Sequence, residues 1–97
     1  MILLIDNATG DGATMTPQLV EACRRAQLGL YVHPGQSRAL PDGVLRMATR
    51  IVSSGSPRHA ADDAHTCDGT RVALVHARCH GVPLLGICYG MHRLALH

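Results

Sequence analysis

The sequence predicts an α/β fold built on a parallel β-sheet, and three observations support this prediction. Four short runs of apolar residues have the length and continuity of strands that are buried on both faces. Segments with apolar residues at helical spacing lie between most of these runs. Turn-forming residues follow each run. The alternation implies parallel strands joined by right-handed crossovers, with functional sites at the carboxyl ends of the strands.

The first half of the chain is predicted to hold two strands with a helix between them. Ile2 to Ile5 is a continuous apolar run that turn residues close. A helix should begin at Thr16-Pro17, because Thr is a favourable N-cap and Pro is tolerated in a first turn. We expect Gly29 to end this helix. Residues 30–33 are the second strand, which the turn pair Pro34-Gly35 stops.

The second half is predicted to add two strands and up to three helices. Val72, Val75 and Cys79 share one face at helical spacing, which indicates an amphipathic helix. In chain order we expect a short helix at 43–49, a strand at 51–53, a helix that starts at Asp68 or Thr70 and ends at Gly81, a strand at 82–87, and a helix from Tyr89 to His97.

Composition restricts the classes of function that the chain can serve. The net charge is only +2 and its nine basic residues are all Arg, scattered along the chain, which does not indicate a nucleic-acid surface. No apolar stretch reaches the roughly 18 residues of a membrane span. The first residues lack a basic leader, a long apolar run and a small-residue cleavage site, so we expect a cytoplasmic location.

The cysteines are expected to be free thiols. Cys23, Cys67, Cys79 and Cys88 lack the C-x-x-C spacing of a zinc or thioredoxin-like site, and a reducing compartment keeps such thiols reduced. We predict no metal and no cofactor. A metal site built from Cys79, Cys88 and nearby histidines is the alternative.

Gly86-Ile87-Cys88-Tyr89-Gly90, directly after the apolar run 82–85, predicts a strand that turns sharply into a helix with a cysteine at the turn. We call this segment the elbow. A helix N-terminus lowers the pKa of a neighbouring thiol through its partial positive charge and free N–H groups. Cys88 is therefore the candidate nucleophile. A buried, inert thiol is the alternative interpretation.

An acyl group on Cys88 would need hydrogen-bond donors for its oxyanion. The backbone N–H of Tyr89 is the first candidate, because it follows the nucleophile at the start of a helix. Gly55-Ser56-Pro57, after the third strand, is a candidate for the second donor. A simple turn without function is the other interpretation of this segment.

The segment Pro83 to Met91 resembles the nucleophile segment of class I glutamine amidotransferases, and its wording is closest to the glutaminase part of the GMP synthetases. Ser54-Gly55-Ser56-Pro57 resembles the oxyanion loop of that family, and residues 2–7 resemble its first strand. The resemblance implies that residues 1–97 are the N-terminal portion of such a domain. It also implies a flavodoxin-like, three-layer fold with a parallel sheet and helices on both faces, truncated after the elbow.

The resemblance further implies a reaction. Glutamine would be hydrolysed through a γ-glutamyl thioester on Cys88, and a synthetase domain or subunit would receive the ammonia. The backbone N–H groups of Tyr89 and of Ser56 or Gly55 would form the oxyanion hole. The remaining implied substrate-binding residues are Gly86, Gly90 and His92.

Two departures from the family pattern bear on activity. His92 stands where the family usually has the Gln that contacts the substrate. The His and Glu that complete the family's triad lie well downstream of the elbow, beyond the 97 residues here. We therefore expect this chain alone to be inactive or very slow. His92 lies one helical turn after Cys88 and is an alternative base, although no carboxylate near it in sequence would orient it.

Other interpretations remain open. The chain also resembles deglycase or protease-like proteins with a cysteine elbow, which place a Glu near the loop of the first strand; here Asp6 is the candidate there, because Glu21 is the only Glu. A catalytically inactive interaction subunit is a third interpretation. The histidines 33, 59, 65, 76 and 80 are interpreted as surface or loop residues, and His97 is expected to be frayed. An apolar fourth strand left at a sheet edge predicts self-association.

Overall fold

The computed structural model describes residues 1–7, 16–37, 40–54, 68–87 and 89–96. Strands and helices alternate within these ranges. The strands are β1 (Ile2–Asp6), β2 (Leu30–Pro34), β3 (Arg50–Ser53) and β4 (Leu84–Gly86), and the helices are α1 (Thr16–Arg25), α2 (Asp42–Met47), α3 (Gly69–His80) and α4 (Tyr89–Leu96).

The four strands form one parallel sheet in the order β2-β1-β3-β4. Placing the first strand between the second and the third is the flavodoxin-like arrangement, so the predicted α/β fold is confirmed. Because all strands run in one direction, their carboxyl ends meet at a single edge of the sheet. The residues that follow β1, β3 and β4 along the chain are therefore neighbours in space.

The core lies on one face of the sheet. Alternation along the strands directs Leu3, Ile5 and Ile51 to the same face, where they pack with buried residues of α2 and α3. Burial of one such aliphatic side chain contributes about 1.5–3 kcal/mol to stability. The opposite face is covered less completely. On that face Leu4 of β1 is buried, but Leu85 of β4 is 59% exposed.

Helix α1 ends earlier than predicted. Its last helical residue is Arg25 rather than a residue next to Gly29, because Gln27 adopts a left-handed conformation with φ of 57°. The N–H of Gln27 donates to the Arg24 carbonyl (3.1 Å) and that of Leu28 to the Cys23 carbonyl (3.0 Å). These two bonds form a Schellman motif, which satisfies the last carbonyls of the helix without a glycine.

Helix α3 has the termini that the sequence predicts. Asp68 is the N-cap, and its carboxylate accepts a hydrogen bond from the backbone N–H of Arg71 at 3.1 Å. Gly81 closes the helix with φ of 66°, which a glycine adopts without steric cost.

Strand β4 is shorter than the predicted 82–87 because β3 offers it only three partners, from Ile51 opposite Leu84 to Ser53 opposite Gly86. Helix α2 starts one residue before the predicted range and ends at Met47. None of the described helices combines the length and the apolar character that crossing a bilayer requires.

Candidate active site

The carboxyl edge of the sheet carries a network of buried polar side chains around Asn7, the residue after β1. The Asn7 side-chain amide donates to Ser53 Oγ (3.0 Å) and to the Ser54 carbonyl (2.8 Å), and the Asn7 backbone N–H donates to Ser54 Oγ (2.9 Å). Thr70 Oγ1 donates to Asn7 Oδ1 at 2.9 Å. All four residues are at most 4% exposed. The network therefore fixes the end of β3 against β1 and the first turn of α3.

Ile87 and Gly90, on either side of Cys88 in the sequence, pack directly on the end of β3. The backbone N–H of Ile87 donates to the Ser53 carbonyl at 2.9 Å, and the N–H of Gly90 donates to the Ile87 carbonyl at 3.0 Å. A Cβ at Gly90 would collide with the Ser53 carbonyl oxygen, and one at Gly86 would lie 2.6 Å from the Met91 nitrogen. The two glycines thus allow the first turn of α4 to touch the sheet backbone.

A buried ion pair joins α4 to the start of α3. The Arg93 guanidinium donates two hydrogen bonds to the Asp68 carboxylate, at 3.0 Å and 3.1 Å. Arg93 is 0% exposed and Asp68 is 5% exposed. Two parallel N–H···O bonds fix the relative orientation of both groups as well as their distance.

The structure brings some of the predicted site residues together and does not describe others. Cys88, Gly55 and Ser56 lie outside the described residues, and so do Cys67, His59, His65 and His97. Tyr89 opens α4 as predicted, and His92 lies within that helix. The roles predicted for all of these residues stay predictions.

His33 was predicted to be a surface or loop residue, and this prediction is wrong. It lies in β2, is 5% exposed, and its Nε2 is 3.1 Å from the Ser37 carbonyl oxygen. The alternation of β2 directs it to the core face, where the ring packs beside Gly69. His76 and His80 stack on each other along α3, with ring centroids 4.3 Å apart.

The thiols of Cys23 and Cys79 are free, as predicted. Within the part of the chain that the structure describes, no three His, Cys, Asp or Glu side chains are grouped so that they could hold a metal ion. The alternative site with Cys79 also requires Cys88, which lies outside those ranges.

The only Glu of the sequence, Glu21, is engaged on α1. Its carboxylate accepts hydrogen bonds from Arg24 (2.6 Å and 2.9 Å) and from Arg25 (3.0 Å). Hydrogen bonds from Arg24 and then Arg25 hold the pKa of Glu21 below its ordinary value. The Arg24 guanidinium has a raised pKa for the same reason. A carboxylate paired in this way on the helix surface is poorly suited to tune a thiol at the sheet edge.

The chain is similar to a known enzyme of glutamine chemistry. The GMP synthase (glutamine-hydrolyzing) of Geobacillus kaustophilus (strain HTA426) is 39% identical to it over 77 residues. The match covers 76% of this chain and 14% of that protein, so the chain spans about one seventh of its relative. No family model and no solved structure matches the chain. The similarity supports a glutamine amidotransferase-related region.

Sequence reasoning missed the network and the ion pair that surround the elbow. Asn7 was predicted only as a residue at the carboxyl end of the first strand, and Asp68 only as a possible start of a helix. The position of Arg93 in the sequence could have predicted a buried charge. Arg93 lies three residues after Gly90, on the same face of α4, in a stretch that is otherwise mostly apolar. A charged residue on the inward face of a helix needs a buried partner.

Proposed function

We propose that this chain carries the nucleophile half of a class I glutaminase site, with Cys88 as the nucleophile. The observation that carries the proposal is the hydrogen bond from the Ile87 N–H to the Ser53 carbonyl. It ties the residue before Cys88 to the strand that leads into Gly55. Cys88 directly follows Ile87 in the sequence, and Gly55 lies two residues after Ser53. The predicted nucleophile and the predicted second oxyanion donor therefore follow two residues that are hydrogen-bonded to each other.

In the proposed reaction the Cys88 thiolate attacks the side-chain amide carbonyl of glutamine. The backbone N–H groups of Tyr89 and of Ser56 or Gly55 stabilise the oxyanion of the tetrahedral intermediate, and one such donor is typically worth about 3–4 kcal/mol. The C–N bond then breaks, the nitrogen takes a proton and leaves as ammonia, and a γ-glutamyl thioester remains. Water hydrolyses the thioester to glutamate and regenerates the thiol.

The ammonia acceptor is proposed from the relative alone. Similarity to a GMP synthase suggests a synthetase domain or subunit as partner and a place in purine nucleotide biosynthesis. The general base belongs to the same proposal: the His and Glu of the family pattern do not occur after the elbow within these 97 residues. We expect the isolated chain to form the thioester slowly and to turn over poorly.

A chloroketone analogue of glutamine tests the proposal. The thiolate displaces chloride and forms a stable S–C bond, and peptide mass spectrometry identifies the labelled cysteine. We expect label on Cys88 that excess glutamine suppresses, and no label after Cys88→Ser. Cys79→Ser is the matched control, because Cys79 is an exposed free thiol on α3. Label shared equally among the cysteines would contradict the proposal.

A glutaminase assay on the same samples tests whether these 97 residues supply a general base. Ammonia release should be slow at best. Brisk turnover that Cys88→Ser abolishes would show that the 97 residues already supply a base, and His92 would be the first residue to replace.

One observation favours a second candidate, a catalytically inactive interaction subunit. His92 occupies the position where the family pattern has a substrate-contacting Gln, and a ring differs from an amide in shape and hydrogen bonding. Such a subunit would keep the fold and leave Cys88 unlabelled by the analogue. Restoring the amide with His92→Gln should then restore labelling.

A further inference from the structure

The ion pair between Asp68 and Arg93 connects α4, the helix that follows the predicted nucleophile, with the start of α3. Arg93 lies one helical turn after Tyr89, and a helical side chain leans towards the N-terminus of its helix. Its guanidinium therefore lies over the first turn of α4. Asp68 is the N-cap of α3, so the pair joins α4 to the start of that helix.

The start of α3, which the pair joins to α4, is itself bonded to the carboxyl edge of the sheet. Thr70, in the first turn of α3, donates to Asn7 Oδ1 at 2.9 Å, and Ser54 accepts two hydrogen bonds from Asn7, at 2.9 Å and 2.8 Å. Asp68, the N-cap of α3, accepts two hydrogen bonds from Arg93 on α4, at 3.0 Å and 3.1 Å. Helix α4 is therefore held against the part of α3 that the Asn7 network holds against the sheet.

A fully buried ion pair is a poor choice for stability alone. Removing two charges from water is costly, and apolar residues of similar volume often stabilise a protein equally well or better. The bidentate geometry instead restricts orientation, which a nonpolar contact does only weakly. The pair therefore serves to fix the orientation of α4 relative to the start of α3.

We propose that Asp68 and Arg93 are positioning residues for the predicted nucleophile: by fixing α4 against the start of α3, they set the orientation of the helix that follows Cys88. This inference rests on the proposed function. In this role they hold the first turn of α4, whose free N–H groups and partial positive charge favour a thiolate beside them.

The test replaces both charges at once. In Arg93→Met/Asp68→Asn the unbranched Met fills the space of the guanidinium, and Asn remains a good N-cap, so no unpaired charge stays buried. Arg71→Met is the matched control, because it removes an exposed Arg from the same region of α3. Urea unfolding measures stability. Iodoacetamide alkylation, resolved by peptide mass spectrometry across a pH series, measures the reactivity of Cys88 against Cys79 in the same sample.

We expect the double variant to unfold at a urea concentration close to that of the parent while the Cys88-to-Cys79 alkylation ratio at pH 7 falls about tenfold, the factor for one unit of thiol pKa. The control should keep the parent ratio. A folded double variant with the parent ratio and the parent pH profile would overturn the inference, since the pair would then be merely structural.

If the double variant does not fold, the single variant Arg93→Lys tests the inference instead. Lys keeps the positive charge but cannot make two parallel bonds to a carboxylate. The alkylation ratio should fall several-fold in this variant, and an unchanged ratio would overturn the inference. A parent chain in which Cys88 reacts no faster than Cys79 would instead refute the proposed function, before any variant is made.

Discussion

Gly90 lies where the backbone of α4 touches the backbone of β3. Its Cβ-free surface faces the Ser53 carbonyl, which also accepts the Ile87 N–H at 2.9 Å. A side chain at this position would push the first turn of the helix away from the sheet. The position of the first turn of α4 thus depends on the absence of a side chain at Gly90, which lies against the Ser53 carbonyl.

Gly90→Ala should destabilise the fold by about 1–3 kcal/mol, the usual cost of inserting atoms into a packed site. Gly43→Ala is the matched control, because a Cβ at that helical position in α2 meets open space. It should stabilise the fold by about 0.5–1 kcal/mol through helix propensity. Urea denaturation followed by circular dichroism measures both changes, and equal effects would contradict the packing argument.

Asn7→Ala should destabilise the fold by about 1–3 kcal/mol, because it leaves the Thr70 hydroxyl without its acceptor in a buried site. The matched variant Thr70→Val removes the donor and keeps the volume, and we expect it to cost less than Asn7→Ala because Asn7 retains its bonds to Ser53 and Ser54. Thermal unfolding of both variants measures the difference. A larger loss for Thr70→Val would show that the network is not centred on Asn7.

At the level of single residues, the sequence predicted the caps and missed the partners. Asp68 and Gly81 follow local rules for helix ends, which depend on a few neighbouring residues. The bonds of Asn7 to Ser53 and of Arg93 to Asp68 join residues 46 and 25 positions apart. Local patterns contain no information about which distant residues a fold brings into contact.

The ends of α1 and α3 show two solutions to the same geometric demand. Both helices end in a left-handed residue, Gln27 with φ of 57° and Gly81 with φ of 66°. Only glycine adopts this conformation without a clash between Cβ and the backbone. Helix α1 therefore contains strain that α3 avoids.

Gln27→Gly should stabilise the fold, and Gly81→Ala should destabilise it, each by about 1 kcal/mol. The pair is well matched because a Cβ at Gly81 meets no neighbouring atom, so only the backbone conformation is tested. Chemical denaturation of the parent and of the two variants measures the changes. A loss of stability on Gln27→Gly would contradict the assigned Schellman motif.

The order and type of the elements were predictable, because apolar runs and helical spacing are properties of short stretches of sequence. Their ends were less predictable for a physical reason. The length of β4 is set by β3, which pairs only with Leu84 to Gly86. The end of α1 is set by Gln27, and glycine rules pointed to the nearby Gly29 instead.

At the scale of the whole molecule, β4 lies at an edge of the described sheet, with Leu85 59% exposed. An exposed strand edge presents unpaired N–H and C=O groups to other chains, and apolar side chains beside it favour contact. The predicted self-association therefore has a specific location in the fold.

Leu85→Lys should reduce self-association, because a charge on an edge strand opposes pairing with another chain. Met47→Lys is the matched control: Met47 is 66% exposed but belongs to α2 and not to a strand. Sedimentation velocity over a range of protein concentrations measures the effect. Equal effects of the two substitutions would assign the association to general surface hydrophobicity, and a monomeric parent chain would contradict the prediction itself.

The α/β fold with a parallel sheet was predicted from the sequence because the strands are short continuous apolar runs and the turns between elements are marked by glycine and proline. The candidate site was predicted at the converging carboxyl ends of the strands, with its residues in the segments 54–57 and 86–90. Their neighbours Ser53 and Ile87 are joined by a hydrogen bond, and the register of β3 with β4 explains why.

A crystal structure of the chain labelled with the chloroketone analogue of glutamine tests the central claim most directly. The account predicts a covalent bond to the Cys88 sulfur and a carbonyl oxygen of the adduct about 3 Å from the backbone nitrogens of Tyr89 and of Ser56 or Gly55. An adduct whose oxygen points into solvent, or a sulfur enclosed in the apolar core and unlabelled, would contradict it.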